Sequence, residues 1–133
     1  MKQVTLTRGF VALGDDEDFQ RVSALRWRAA TWKHNRIVHA IARIIKENGK
    51  ETTISMHRFI LGASNSKIPI DHRDRNGLNN QRHNLRVCTF SQNTANSVKC
   101  RTSKISIYKG VCLDKKAHSS HSWRAAIQTN GKS

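Results

Sequence analysis

IDHRDRNGLNNQRHNLRVCTFSQNTANS, residues 70–97, is the stretch from which the fold can be read. It opens on Asp71-His72 and runs into a loop rich in Asn and Gly, residues that tolerate positive φ, with Asn76-Gly77 and Asn79-Asn80. His83-Asn84-Leu85-Arg86 leads into an apolar run, Val87-Cys88, which reads as a second short strand. Thr89 or Ser91 then stands where a helix cap is needed, ahead of Asn93 and Asn96. A strand, an Asn-filled loop, a strand and a helix would bring Asp71, His72 and Asn93 close together. That grouping suits one divalent metal and one general base.

In order and spacing, DHxDxNxxNN, xHNLRVxT and SQN resemble the HNH nuclease family, built on the ββα-metal motif. The family's opening histidine falls on His72, its central asparagine on Asn84 and its third position on Asn93. The resemblance implies catalytic roles for His72, as general base, and Asn84, which orients the base and braces the loop. It implies one divalent cation, Mg2+ or Mn2+, held by the Asp71 carboxylate and the Asn93 carbonyl oxygen. The expected reaction is phosphodiester hydrolysis in duplex DNA, nicking as a monomer and leaving 5′-phosphate and 3′-hydroxyl ends. Two positions depart from the family: Arg75 stands where relatives usually carry glycine, and Arg73 where they usually carry an apolar residue. Asp74 reads better as a turn-capping residue than as a ligand, and Asn79 and Asn80 as satisfying loop backbone groups. His83 reads as a surface or phosphate contact. A segment like Met56-His57-Arg58 commonly precedes such a core, and His57 reads as structural rather than catalytic.

Outward from the motif, the balance of charge points to a polyanion. The 133 residues carry 24 Lys and Arg against nine acids, a formal net charge of +15. Residues 52–133 hold fourteen of those 24 cations and only Asp71, Asp74 and Asp114 of the acids. Arg36, Arg43, Arg73, Arg75, Arg82, Arg86, Lys109, Trp123 and Arg124 are the candidate DNA contacts. Three cysteines, with no CxxC pair, argue against a disulfide framework and a tetrahedral zinc site. With no signal peptide or apolar span visible, the expectation is a soluble, cytoplasmic protein, in a bacterial host if phage-encoded.

Toward the N-terminus, residues 4–13 alternate and break at Arg8-Gly9, which suggests a hairpin. Asp15 opens an acidic helix start with an Asp15/Asp18 cap pattern and a buried stripe of Phe19, Val22 and Leu25 or Trp27. Two β-like runs follow, RAATWKHNR and IVHAIARII, and Asn48-Gly49 suits a two-residue hairpin turn into ETTIS. Trp32, Arg36, Arg43 and Lys50 form either a basic strand face against DNA or a solvated face with Trp32 packed. Met56–Leu61 reads as a short helix stopped by Gly62. Toward the C-terminus, YKGV followed by WRAAI is similar to the opening strands of the plant ethylene-response (Apetala-type) DNA-binding domain, here truncated at Ser133.

The expected class is therefore α+β: a small N-terminal strand-helix-strand region, a central ββα-metal motif and a short C-terminal β-hairpin. The expected divisions are a DNA-contacting region 1–53, a nuclease core 54–98, a linker 99–104 and a hairpin 105–133. The expected partner is double-stranded DNA, with no membrane and no small-molecule cofactor, the protein acting as a monomer or homodimer. The alternative is a non-catalytic DNA-binding protein that retains the HNH scaffold.

Overall fold

A computed structural model describes residues 1–32, 35–63, 65–97, 108, 111–113 and 123–125, with only the backbone at 32, 35, 36, 112, 113, 123 and 124. The class is α+β, and the chain divides into two compact units, Met1–Ser97 and Val98–Ser133.

In the first unit, β1 (Lys2–Thr5) and β2 (Val11–Gly14) form the antiparallel hairpin expected from the break at Arg8-Gly9. Leu6 N–H donates to Phe10 O (2.8 Å), and of the three residues between them Arg8 and Gly9 adopt positive φ, which turns the chain back. Helix α1 (Asp16–Ser23) follows, with Asp16, Glu17 and Asp18 at its positive end. Its expected cap bond is not made. Asp15 stands at the cap, but its carboxylate accepts instead from the Arg82 backbone N–H (2.7 Å) and from Gln81 Nε2 (3.2 Å). These donors, more than sixty residues away, hold the Asp15 carboxyl below the usual carboxylate range, the Arg82 backbone bond being the main cause.

Strands β3 (Trp27–Trp32), β4 (Asn35–Ile45) and β5 (Glu51–Ser55) make one antiparallel sheet in that order. The β4–β5 connection differs from the expected two-residue turn. Gly49 N–H donates to Lys46 O (2.8 Å) and Lys46 N–H to Lys50 O (3.0 Å), so three residues lie between the closing pair. Gly49 takes a φ of +75° while Asn48 is not among the positive-φ residues. A type I turn followed by a left-handed glycine needs only one such residue, whereas the two-residue turn would need positive φ at Asn48 too. The Asn48 side chain then accepts from Lys50 N–H (3.1 Å).

Helix α2 (Met56–Ile60) ends at Gly62, whose φ is +63°. Met56 and Ile60 enter a core with Leu6, Ala12, Val22, Trp27, Ala40, Ala42 and Leu85. Trp27 keeps its one polar atom satisfied there by donating Nε1–H to Val22 O (2.7 Å). Because Leu85 belongs to the same cluster, the core runs from the N-terminal hairpin through the motif, across the expected division at residue 53.

The motif itself is β6 (Ile70–His72), β7 (Leu85–Val87) and helix α3 (Phe90–Asn96). Thr89, one of the two expected caps, accepts from Gln92 N–H (3.2 Å), and the Gln92 side chain returns to the Thr89 N–H (2.9 Å). This capping box starts α3 where the sequence needs it. The long loop between β6 and β7 is sewn to the edge of β2: Leu13 N–H donates to Leu78 O and Asn80 N–H to Leu13 O, both 2.8 Å. In the second unit, β8 (Val111–Leu113) pairs antiparallel with β9 (Trp123–Ala125), a hairpin as expected. The expected strand from Ile105 lies largely outside the described residues. Among the described residues no helix is long and apolar enough to cross a membrane.

Candidate functional site

Strand alternation sends the two leading residues of the motif to opposite faces. In β6 against β7, Asp71 pairs with Arg86 and His72 with Leu85. On Asp71's face, Arg86 Nη2 and Nε donate to its Oδ2 at 2.7 and 3.1 Å. Asn96 of α3 donates Nδ2 to both carboxylate oxygens (3.0 and 2.9 Å) and to His72 O (2.9 Å). Asn93 lies one turn earlier on α3 and is exposed. The residue that reaches Asp71 is therefore Asn96, absent from the expected set. The donor types of Asp71 and Asn93 fit a hard cation. The Asp71 carboxylate, however, is held by Arg86 and Asn96.

His72 faces inward with Leu85 and is 5 % exposed. Its Nε2 lies 3.3 Å from Asn80 Oδ1, and Asn80 is 1 % exposed. Asn80 donates its own Nδ2 to Leu78 O (3.1 Å), which turns Oδ1 toward the imidazole. An acceptor facing Nε2 places the ring proton there and the lone pair on Nδ1. Burial pushes the His72 pKa below its ordinary value, opposed by the Asn80 hydrogen bond and by Asp74 and Asp71. His72 is thus neutral at pH 7, the state a base requires.

Asn84 is also buried but does not touch His72. Its Oδ1 accepts from Asp74 N–H (3.1 Å), and its Nδ2 donates to Asp74 Oδ1 (2.9 Å) and Asn79 O (2.7 Å). The two expected duties of Asn84 are therefore divided: Asn84 braces the loop and Asn80 positions the histidine. Asp74 takes the expected Asx role, accepting from Asn76 N–H (2.8 Å) and Asn79 Nδ2 (2.7 Å). Those bonds outweigh desolvation and hold its carboxyl below the usual range.

Two further histidines close around His72. His57 lies with its ring centroid 5.0 Å from that of His72, and His39 at 5.7 Å, the two being 6.0 Å apart. Their meeting follows from the β4–β5 register. Ile41 pairs with Ser55, the last residue of β5, so α2 begins beside β4 and its second residue, His57, lies near His39. Burial lowers the His39 pKa to about 4 and the His57 pKa to about 3, with the neighbouring His72 adding to both. Unfolding returns each ring to about 6.5. Between those values the unfolded chain binds more protons, so stability is full above about pH 7 and falls as the pH drops toward 4. In chelator, the urea unfolding free energy is expected to fall by roughly 2 kcal/mol between pH 7 and 4.5, allowing for the partial exposure of His39. Equal stability at the two pH values would contradict this burial.

Gly77 sets how closely the loop approaches His39. A Cβ there would lie 2.4 Å from Val38 O and 2.7 Å from His39 Nδ1. The carbonyl belongs to β4 and cannot give way, so the loop would have to lift. Gly77→Ala is expected to cost about 2–3 kcal/mol in urea unfolding. A loss under 0.5 kcal/mol, on the order of a neutral surface change, would contradict the close approach.

The candidate DNA contacts divide. Arg73 and Arg75 are exposed on the loop, and Arg75 has a φ of +63°, the left-handed conformation that explains glycine at this place in the family resembled. Arg75 Nε donates to Asn96 Oδ1 (3.3 Å). Arg43 is exposed and pairs with Glu51 at 3.5 Å. Arg86 is tied to Asp71. Arg82 is engaged within the protein: its guanidinium pairs with Glu17 and, at 2.7 and 2.8 Å, with Asp18, which is 2 % exposed. These bonds join the motif loop to α1. Arg36 lies in β4, and Trp123 and Arg124 in β9, with their side chains outside the described residues; Lys109 lies outside them altogether.

Sequence reasoning missed the contact of Asn80 with His72 and the meeting of His39 with His57, and it left Asn96 open between the DNA and this same site. Compared with known proteins, the chain matches no family model, and no curated protein or solved structure matches it at significance.

Proposed function

We propose that this protein is a metal-dependent endonuclease of the HNH type that nicks duplex DNA. The observation that carries the reading is His72 at the end of β6, neutral and hydrogen-bonded through Nε2 to Asn80, inside a strand-loop-strand-helix unit. In this reading His72 accepts the proton of the attacking water at Nδ1, and Asn80 stabilises the imidazolium that forms. Asn84 keeps the loop in place through Asp74. Arg86 exchanges Asp71 for a phosphate of the bound strand, which leaves the carboxylate held by Asn96 alone and open to a cation. Held by Asp71 and Asn93, Mg2+ or Mn2+ would supply charge neutralisation at the departing 3′ oxygen. Arg36, Arg43, Arg73, Arg75, Lys109, Trp123 and Arg124 contact the flanking duplex, mainly at phosphates, so binding weakens steeply with salt. The site of action is the cytoplasm, in a bacterial host if the chain is phage-encoded. A monomer carries one such site and cuts one strand.

The test is the chemistry of the product. Relaxed circles made from supercoiled plasmid should be resealed by DNA ligase, which requires adjoining 5′-phosphate and 3′-hydroxyl ends. Circles that resist ligase until treated with a phosphatase and a kinase would exclude this reaction.

One observation favours a second reading. With Asp71 bound by Arg86 and Asn96, and His72 buried, the same unit serves as a rigid scaffold for DNA binding without cutting. That protein would bind duplex with the same salt dependence and leave the plasmid supercoiled with every metal.

A further inference from the structure

We propose that His39, His57 and His72 form a three-imidazole site for a borderline divalent metal ion, zinc being the physiological candidate. One ligand atom from each ring lies within 4.8 Å of the other two. Nitrogens bound at about 2.1 Å around a tetrahedral ion stand roughly 3.4 Å apart, so closure asks for rotamer-scale movement only. The rings come from three separate elements, β4, the first turn of α2 and β6; β4 and α2 place residues in one core, and β6 pairs with β7, whose Leu85 joins it. Two of them already carry the outer hydrogen bonds that metal-binding histidines use. His57 Nε2 lies 3.3 Å from Ser55 Oγ, and His72 Nε2 lies 3.3 Å from Asn80 Oδ1. Such bonds hold the rings in place, and at His72 the Asn80 oxygen, which can only accept, leaves the lone pair on the second nitrogen.

Three imidazoles without a carboxylate select zinc, nickel or copper and discriminate against magnesium and calcium. The site is thus distinct in chemistry from the oxygen donors Asp71, on the other face of β6, and Asn93, on α3. A fourth position is left for water. Occupied, the site withdraws the His72 lone pair into a metal bond, so zinc would silence a base that magnesium-supported cleavage needs. That consequence rests on the reading of His72 as the base, whereas the site itself does not.

The experiment uses the full chain, stripped with chelator and titrated with cobalt(II) as the probe. One equivalent should produce the visible band of an imidazole-bound ion, with no thiolate-to-cobalt charge transfer. His39→Ala and His57→Ala should each weaken binding at least tenfold. Melting of each variant in chelator checks its fold. Wild-type protein gives a reading independent of the variants: zinc should shift the ring nitrogen resonances of His39, His57 and His72 and leave those of His83 in place. Unchanged cobalt affinity in both variants, or ring shifts confined to other histidines, would overturn the site. In plasmid nicking with magnesium, one equivalent of zinc should stop the wild type, and His39→Ala should need at least tenfold more. Cobalt bound through these rings by a protein that never nicks would uphold the site and sink the nuclease reading.

Discussion

Alanine at His72 is expected to slow magnesium-supported nicking about a thousandfold while leaving duplex binding within about twofold of wild type. General bases contribute about 10²–10⁴ to rate, and no other imidazole can substitute from the same strand. His57 and His39 are near, but burial has lowered their pKa values to about 3 and 4, too weak as bases to take over. The substitution leaves Asn80 Oδ1 buried without its ring partner, which costs about 1–2 kcal/mol and leaves the fold in place. Single-turnover nicking beside a gel shift on the same DNA checks both halves. Nicking reduced less than tenfold would remove His72 from the chemistry, and parallel loss of binding would mean that the fold had failed.

Arg82→Ala is expected to lower stability by about 2–3 kcal/mol. Its guanidinium meets the Asp18 carboxylate through two bonds of 2.7 and 2.8 Å, and the Asp18 side chain is 3 % exposed against 42 % for Arg82. Removing one partner of a buried pair costs about 3–5 kcal/mol, because the other charge stays buried and unpaired. Two features reduce that figure here: Arg82 is half in solvent, and Arg21 stays 3.5 Å from Asp18. Urea unfolding measures the loss. The double substitution Asp18→Ala with Arg82→Ala should recover part of it, since no charge is then stranded. A loss under 1 kcal/mol in the single variant would class the pair with ordinary surface bridges.

Those two residues also mark where the sequence was legible. Asp71-His72 before an Asn-rich loop, the Thr89 cap and the break at Gly62 are local signals, and each element forms where its own chemistry demands. Arg75, a departure from the glycine usual in the family the motif resembles, takes a positive φ. What escaped was long-range and polar. Asp15 and Asp18 read as helix-start residues, yet one receives the Arg82 backbone and the other its guanidinium. Nothing in a helix-start pattern reveals a partner sixty-four residues away. Asn80 and Asn84 look alike in sequence. Which of them faces the histidine depends on how the loop docks on β2 and how closely Gly77 lets it approach His39. Asn96 reaches Asp71 because α3 is capped at Thr89, and the sequence alone does not say which of Asn93 and Asn96 that start turns toward β6.

The most direct measurement is the conversion of supercoiled plasmid by the wild-type protein with magnesium, with manganese and with chelator, beside His72→Ala. The account predicts relaxed circles with either metal, none with chelator and none from the variant, while both proteins shift the DNA in a gel. Tight binding by both proteins with the plasmid left supercoiled in every metal would contradict it and leave a DNA-binding scaffold in its place.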